Sequence, residues 1–440
     1  MTSPIKISPA RAAAFRILCQ VAEGAHSDDL LFAPAVTALS SADKNLTMAI
    51  VMGVLRWQIA LDASIAALMD RPLQKISNEV MTALRMGVFQ LWYLDRIPDH
   101  AAISESVELC RAANHAYATG MVNAVLRKLA RAGKPAPAAR KLVVTAPFLA
   151  AEYAHPEWMV ARWMKIYGAA ATEKILTADQ SEPLSDASCA SEDEASEAID
   201  ASASFFAESA QAPLWPVIDE GSRLIAELAA VGAAKTILDC CAAPGGKTLV
   251  LAMRQPQVAI TAADNSAERM QRMESRLKKF PYAANVKCVL ADASKLDGRE
   301  KYERILCDVP CSGTGTLARN PEIRHRLRAA DLSMQARRQR EILAAALNAL
   351  APGGRLIYST CSLEPEENEQ VVETVLAAAS GVRLMPVSEL LRELADANVL
   401  TREACEMLTA TAVRGEYLRT LPGVHPCDGF FAAVIEKARG

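Results

Sequence analysis

Between residues 235 and 360 five short apolar runs, KTILD, VAITAAD, VKCVLA, ERILCD and GRLIYST, are each followed by a helical or loop segment. Strands separated by helices cannot pair as hairpins. Each connection must cross a face of the sheet, so the strands run parallel and helices cover them. The pattern predicts an α/β domain over residues 216–440. In an open sheet of this kind ligands gather beyond the carboxyl ends of the strands. The residues that leave those ends are therefore the ones to read for function.

The first strand runs into CCAAPGGKT, residues 240–248. Its small residues and the Gly245–Gly246 pair let the backbone approach a ligand and present amide N–H groups at a helix start. The loop is neither GxGxxG nor a GxxxxGK[ST] phosphate loop, which argues against a nicotinamide-dependent oxidoreductase on the same kind of sheet. Asp264 ends the second strand, where an acid accepts hydrogen bonds from ribose hydroxyls, and Asp292 follows the third. Either acid alone also fits a helix N-cap; with the glycine loop they outline a nucleoside pocket. The fourth strand ends in CDVPCSGTG, with Asp308 and Cys311, and the fifth in STCS, with Cys361. Neighbouring parallel strands lie roughly 5 Å apart, so these two cysteines can face one substrate. Downstream of Cys361, Pro365 suits a first helical turn and Glu366 and Glu367 suit its positive end. A helix dipole there favours a thiolate, so Cys361 reads as a nucleophile. Cys19, Cys110, Cys288 and Cys405 read as buried fillers.

From residue 5 to about 131 apolar residues recur at helical spacing, as at Leu84, Val88 and Leu91, which predicts an all-α domain over 1–132. RAGKPAPAARK marks a linker. Residues 145–215 read as a linker and small subdomain with helical aromatic spacing at Trp158, Trp163 and Tyr167. Within it the acidic stretch 181–204 has no Lys or Arg and reads as a solvated insert. Eleven cysteines without a signal peptide argue for reduced thiols, and the absence of CxxC and of paired histidines argues against a metal site. The longest apolar runs, such as ILAAALNALA, are too short for a bilayer, so a cytoplasmic protein with no membrane partner is expected.

The motifs LDCCAAPGGKT, DVPCSGTG, YSTCSLEPEEN and the terminal DGFFAAVIEK resemble those of the RNA cytosine-5 methyltransferases that use S-adenosylmethionine. GVLRWQIALD, ALRMGVFQLWYLDRIPDHAAISESVEL and GMVNAVLRKL resemble the NusB-like RNA-binding domain fused to the bacterial RsmB (Sun, Fmu) enzymes, which methylate 16S ribosomal RNA. The resemblance implies a NusB-like helical domain, then a Rossmann-like seven-stranded methyltransferase domain, in a monomer acting on RNA. It places a cofactor loop on Cys241, Ala242, Ala243, Pro244, Gly245, Gly246 and Lys247, a ribose acid on Asp264, an adenine-side acid on Asp292 and a motif acid on Asp308, counted with both the cofactor and the catalytic residues. Cys361 takes the role of nucleophile and Cys311 that of helping the enzyme leave. PLSDASC and VIDEGS stand where such enzymes show an Arg-x-Asn element and a Gln-Asp pair, so the small RNA-contacting subdomain is partly degenerate. The alternatives are a tRNA cytosine-5 methyltransferase and an RNA-binding assembly factor without catalysis. Two basic stretches, 269–279 and 318–340, are expected to face RNA, with Arg324, Arg326 and Arg328 on its backbone.

Overall fold

The protein, here a computed structural model, is described over residues 7–70, 72–136, 144–182, 204–207, 215–299 and 301–439. It forms two compact units: one holds the residues up to Glu182 together with Leu317–Arg326, the other the remainder.

The first unit is helical. Pro9–Ala22, Ser41–Ala66, Asn78–Tyr93, Asp99–Ala112 and Thr119–Ala132 pack around one apolar core, with Leu84 and Val88 fully buried and Leu91 at its margin. Ser40 starts the longest helix by accepting from the Asp43 N–H at 3.2 Å. That helix is long and apolar enough to cross a membrane by length and composition, where the sequence reading found no such segment. The reading looked for unbroken apolar runs, and here polar residues interrupt the run. Ile50, Val51, Val54 and Leu55 of this helix lie in the unit's core. Helices Ala146–Glu152 and Glu157–Gln180 belong to the same unit; Trp163 is fully buried, Trp158 and Tyr167 partly so. Most of the linker after Lys134, the acidic stretch and the PLSDASC segment lie outside the described residues.

The second unit is built on one sheet: β1 (Thr236–Asp239), β2 (Ala259–Asp264), β3 (Val286–Leu290), β4 (Tyr302–Asp308), β5 (Leu350–Thr360), β6 (Val382–Met385), β7 (Val413–Arg414), β8 (Tyr417–Arg419) and β9 (Phe431–Lys437). Its order is β3-β2-β1-β4-β5-β9-β8-β7, with β6 also on β9. The five strands read from the sequence are parallel, and β9 joins β5 antiparallel. Seven strands were expected and nine are found among the described residues, because the short β7–β8 hairpin adds to the edge of β9 beside β6. Side chains alternate between two cores: Ile237, Leu306 and Ile357 on one face, Leu238, Ile305 and Leu356 on the other.

Candidate active site

The chain passes from β3 on one side of β1 to β4 on the other, so the strand order reverses beside β1 and a crevice opens at the carboxyl ends. One cavity there is lined by Cys241, Ala243, Asp264, Asp292, Asp308, Cys311 and Cys361. Ala242, Pro244, Gly245, Gly246 and Lys247 complete the loop without lining it. Gly245 has φ +92, and a Cβ there would stand 2.9 Å from Met273 Cγ, so only glycine fits both the turn and the space. Helix Gly246–Arg254 follows directly.

The acids do distinct things. Asp264, 3% exposed, accepts from the N–H groups of Ser266 at 2.9 Å and Ala243 at 3.3 Å, tying the β2 end to the loop after β1. Arg269 Nη2 also reaches it, at 2.9 Å. Asp292 accepts from the Ser294 hydroxyl at 2.7 Å and N–H at 3.0 Å, which hold its carboxyl below the ordinary range; it caps a short turn as well as lining the cavity. Asp308 accepts from Ser359 Oγ at 2.7 Å and pairs with Lys247 Nζ at 2.8 Å. Burial opposes the Lys247 charge, but Asp308 and then Cys361 outweigh it and raise the ammonium above its usual value. Lys247, expected with the cofactor loop, thus directs its ammonium to Asp308. Asp239, not singled out from the sequence, is buried at the end of β1; it accepts from Thr248 Oγ1 at 2.7 Å, and burial pushes its acid up to about 7.

The two cysteines meet, with Sγ atoms 3.3 Å apart. Their strands are neighbours in register, Asp308 beside Ser359, and past the strand ends the Gly315 N–H donates to Cys361 O at 2.9 Å. A Cβ on Gly315 would come within 2.3 Å of Gly429 O and 2.9 Å of Cys361 O, which is why the SGTG turn needs glycine there. The hydrogen bond to Cys361, then burial, then the charges at Cys361 and Glu367 push the Cys311 thiol well above its usual range.

The acids after Cys361 differ from the sequence reading. The helix starts only at Glu369, so Pro365 and Glu367 lie in the preceding turn and no helix end meets Cys361. Glu367 is instead fully buried, accepting from Ser312 N–H at 2.9 Å, Gln339 Nε2 at 3.0 Å, Ser362 Oγ at 2.5 Å and Ser312 Oγ. Among the cysteines read as fillers, Cys110 and Cys405 are buried, while Cys19 and Cys288 are only partly so.

The second basic stretch also needs correction. Arg324 is 1% exposed and donates to the carbonyls of Arg56 and Asp179, both at 3.3 Å. Arg326 donates to the carbonyls of Val21, Gly24 and Ala25, and Glu322 accepts from Ser27 N–H at 3.0 Å. Arg324 is thus an interior fastener of the first unit rather than a surface cation, and Arg326, partly buried, spends its guanidinium on backbone carbonyls, because Leu317–Arg326 folds as part of that unit. Arg328, Arg337 and Arg338 are exposed, and Arg338 lines the cavity. In the first stretch Arg269 pairs with Asp264 and Arg276 donates to Val217 O at 3.2 Å, while Lys278 and Lys279 stay exposed.

Residues 8–131 match the NusB family and residues 228–436 the 16S rRNA methyltransferase RsmB/F family. The chain is 31% identical to ribosomal RNA small subunit methyltransferase B of Xanthomonas campestris pv. campestris, over 97% of both chains. It is 30% identical to the probable ribosomal RNA small subunit methyltransferase B of Bacillus subtilis, over 77% of this chain and 81% of that one. The solved structure of PH0851 aligns over 99% of this chain and 100% of its own with a TM-score of 0.73 at 23% identity, which shows a common fold. Identity of this degree along nearly the whole length settles the relationship: the chain belongs to the ribosomal RNA small subunit methyltransferase B family.

Proposed function

We propose that this cytoplasmic protein transfers a methyl group from S-adenosylmethionine to carbon-5 of a cytosine in 16S ribosomal RNA, through a covalent bond to Cys361. The observation that carries this reading is the contact of Cys311 and Cys361 at 3.3 Å in the cavity that Asp264, Asp292 and Asp308 also line.

The residues fit a nucleoside cofactor. Asp264 is a buried acid at the end of β2 that accepts from the Ala243 N–H of the loop after β1, and Asp292, which follows β3, lines the same cavity. Cys241 and Ala243 of the loop, with Asp264 and Asp292, would hold S-adenosylmethionine, which when bound supplies an electrophilic methyl group on a sulfonium.

Carbon-5 of cytosine is too weak a nucleophile to be methylated unaided. Addition of the Cys361 thiolate to carbon-6 makes carbon-5 enamine-like and divides the barrier. Asp308, oriented by Ser359 and Lys247, is the group to hydrogen-bond the cytosine ring nitrogen or amino group as charge develops there. Once carbon-5 carries the methyl group a base takes its proton, the electrons of that C–H bond re-form the carbon-5 to carbon-6 double bond, and sulfur leaves carbon-6 as the Cys361 thiolate. Cys311, a thiol in contact with the nucleophile, assists this release. A paired base cannot enter such a cavity, so the target is unpaired or flipped.

The test separates the cysteines. Cys361→Ala is expected to give neither methylation nor an RNA adduct. Cys311→Ala should accumulate enzyme joined to its RNA, seen as a heavier band on a denaturing gel, and the double mutant should lose that band. An adduct in Cys361→Ala but not in Cys311→Ala would reverse the roles. No transfer of labelled methyl groups to ribosomal RNA by the wild-type protein would sink the catalytic reading.

A further inference from the structure

The sequence reading gave Glu367 no more than a helix-dipole role, yet it is a fully buried carboxylate with donors around both oxygens. Oε1 accepts from Ser312 N–H and Gln339 Nε2, and Oε2 from the hydroxyls of Ser312 and Ser362. Ser312 immediately follows Cys311, and Ser362 immediately follows Cys361. The two hydroxyls are also 3.0 Å from each other. A single acceptor thus gathers the residue after each cysteine.

We propose that Glu367 is a positioning residue that sets the approach of Cys311 to Cys361 by binding the residues that follow both. Burying a carboxylate is costly unless its lone pairs are satisfied. Here they meet four donors, which oppose the burial that raises this carboxyl above its ordinary range, and the donors are fixed in return. Backbone pairing alone leaves the loops freer beyond the strand ends: the Gly315 N–H to Cys361 O bond and the Leu363 N–H to Thr314 Oγ1 bond at 2.9 Å hold other parts of the two loops. Ser312 and Ser362 also touch each other and Thr314, and Asn368 Nδ2 donates to Ser362 O at 2.8 Å, but Glu367 is the carboxylate that binds the residues next to both sulfurs. The sulfur spacing is thereby a property of Glu367 as much as of the sheet. The inference deepens the covalent mechanism above, but its first test needs neither RNA nor cofactor.

In the full-length protein, diamide oxidises the two thiols to a disulfide while its azo bond takes up the two hydrogens to become a hydrazine. Peptide mapping gives the rate at which Cys311 and Cys361 join. Glu367→Gln keeps the shape and one carbonyl acceptor but cannot receive all four donors, and Glu367→Ala removes every acceptor. The join should slow about tenfold in Glu367→Gln, equivalent to about 1.4 kcal/mol, and further in Glu367→Ala. Methylation kcat should fall in the same order, with the KM for S-adenosylmethionine unchanged, a split that general loss of folded protein does not produce. If Glu367→Ala does not fold, Glu367→Gln alone decides. Wild-type joining rate and kcat in Glu367→Gln overturn the proposal. A slowed join in a protein that never methylates RNA would uphold the positioning role and refute the catalytic reading instead.

Discussion

Arg324→Ala tests the reassignment of the basic stretch from an RNA surface to an interior fastener. The guanidinium is 1% exposed, and its two terminal nitrogens satisfy carbonyls of the helices Ser41–Ala66 and Glu157–Gln180. It also opposes the burial that pushes the fully buried Asp179 up to about 7. Asp179 in turn lies 3.2 Å from His155 Nε2, so the loss spreads to a second buried polar group. Removing one member of a buried charged set costs about 3–5 kcal/mol, because the partner stays behind uncompensated. With a urea slope of about 2 kcal/mol per molar for a unit of this size, the midpoint should fall by about 2 M. Tryptophan fluorescence follows it well: Trp57, Trp92, Trp158 and Trp163 lie in the first unit and Trp215 in the second. Arg328→Ala, on an exposed residue, is the reference and should shift stability by less than about 0.5 kcal/mol. The RNA affinity of folded Arg324→Ala should keep the wild-type salt dependence. A wild-type urea midpoint together with weaker, less salt-dependent RNA binding would return Arg324 to the RNA path and refute the argument.

Asp264→Ala should weaken S-adenosylmethionine binding at least tenfold, or ~1.4 kcal/mol, through lost hydrogen bonds to a charged acceptor; unchanged affinity by calorimetry would remove Asp264 from the cofactor site. Asp239 has its folded pKa at about 7, above the ordinary 3.8, so the folded state holds the extra proton between those values and stability falls as pH rises through that window. Asp239→Asn keeps an acceptor for Thr248 and removes this pH-dependent loss, which is at most about 4 kcal/mol. The variant should therefore gain on the wild type in thermal melts at pH 8 relative to pH 4, and parallel pH profiles for the two proteins would contradict the assignment.

The sequence alone determined the parallel core of the sheet and the rim of its cavity. Strand period and helix period are local properties, and the strand-end rule then names Asp264, Asp292, Asp308, Cys311 and Cys361 without any knowledge of packing. It also carried the family, because the cysteine and glycine motifs are short and contiguous. Tertiary structure decided what the same residue types do when they are buried. Glu367 lies in an acidic run that reads as a solvated helix start, yet it is fully buried and accepts from the residues beside two cysteines brought together from different strands. Arg324 lies in a basic run that reads as an RNA-facing helix, yet it is interior because Leu317–Arg326 joins the helical unit. Charge patterning reports how a segment would behave in water. Whether a charge stays in water depends on contacts from residues remote in the chain, and those exist only in the folded protein.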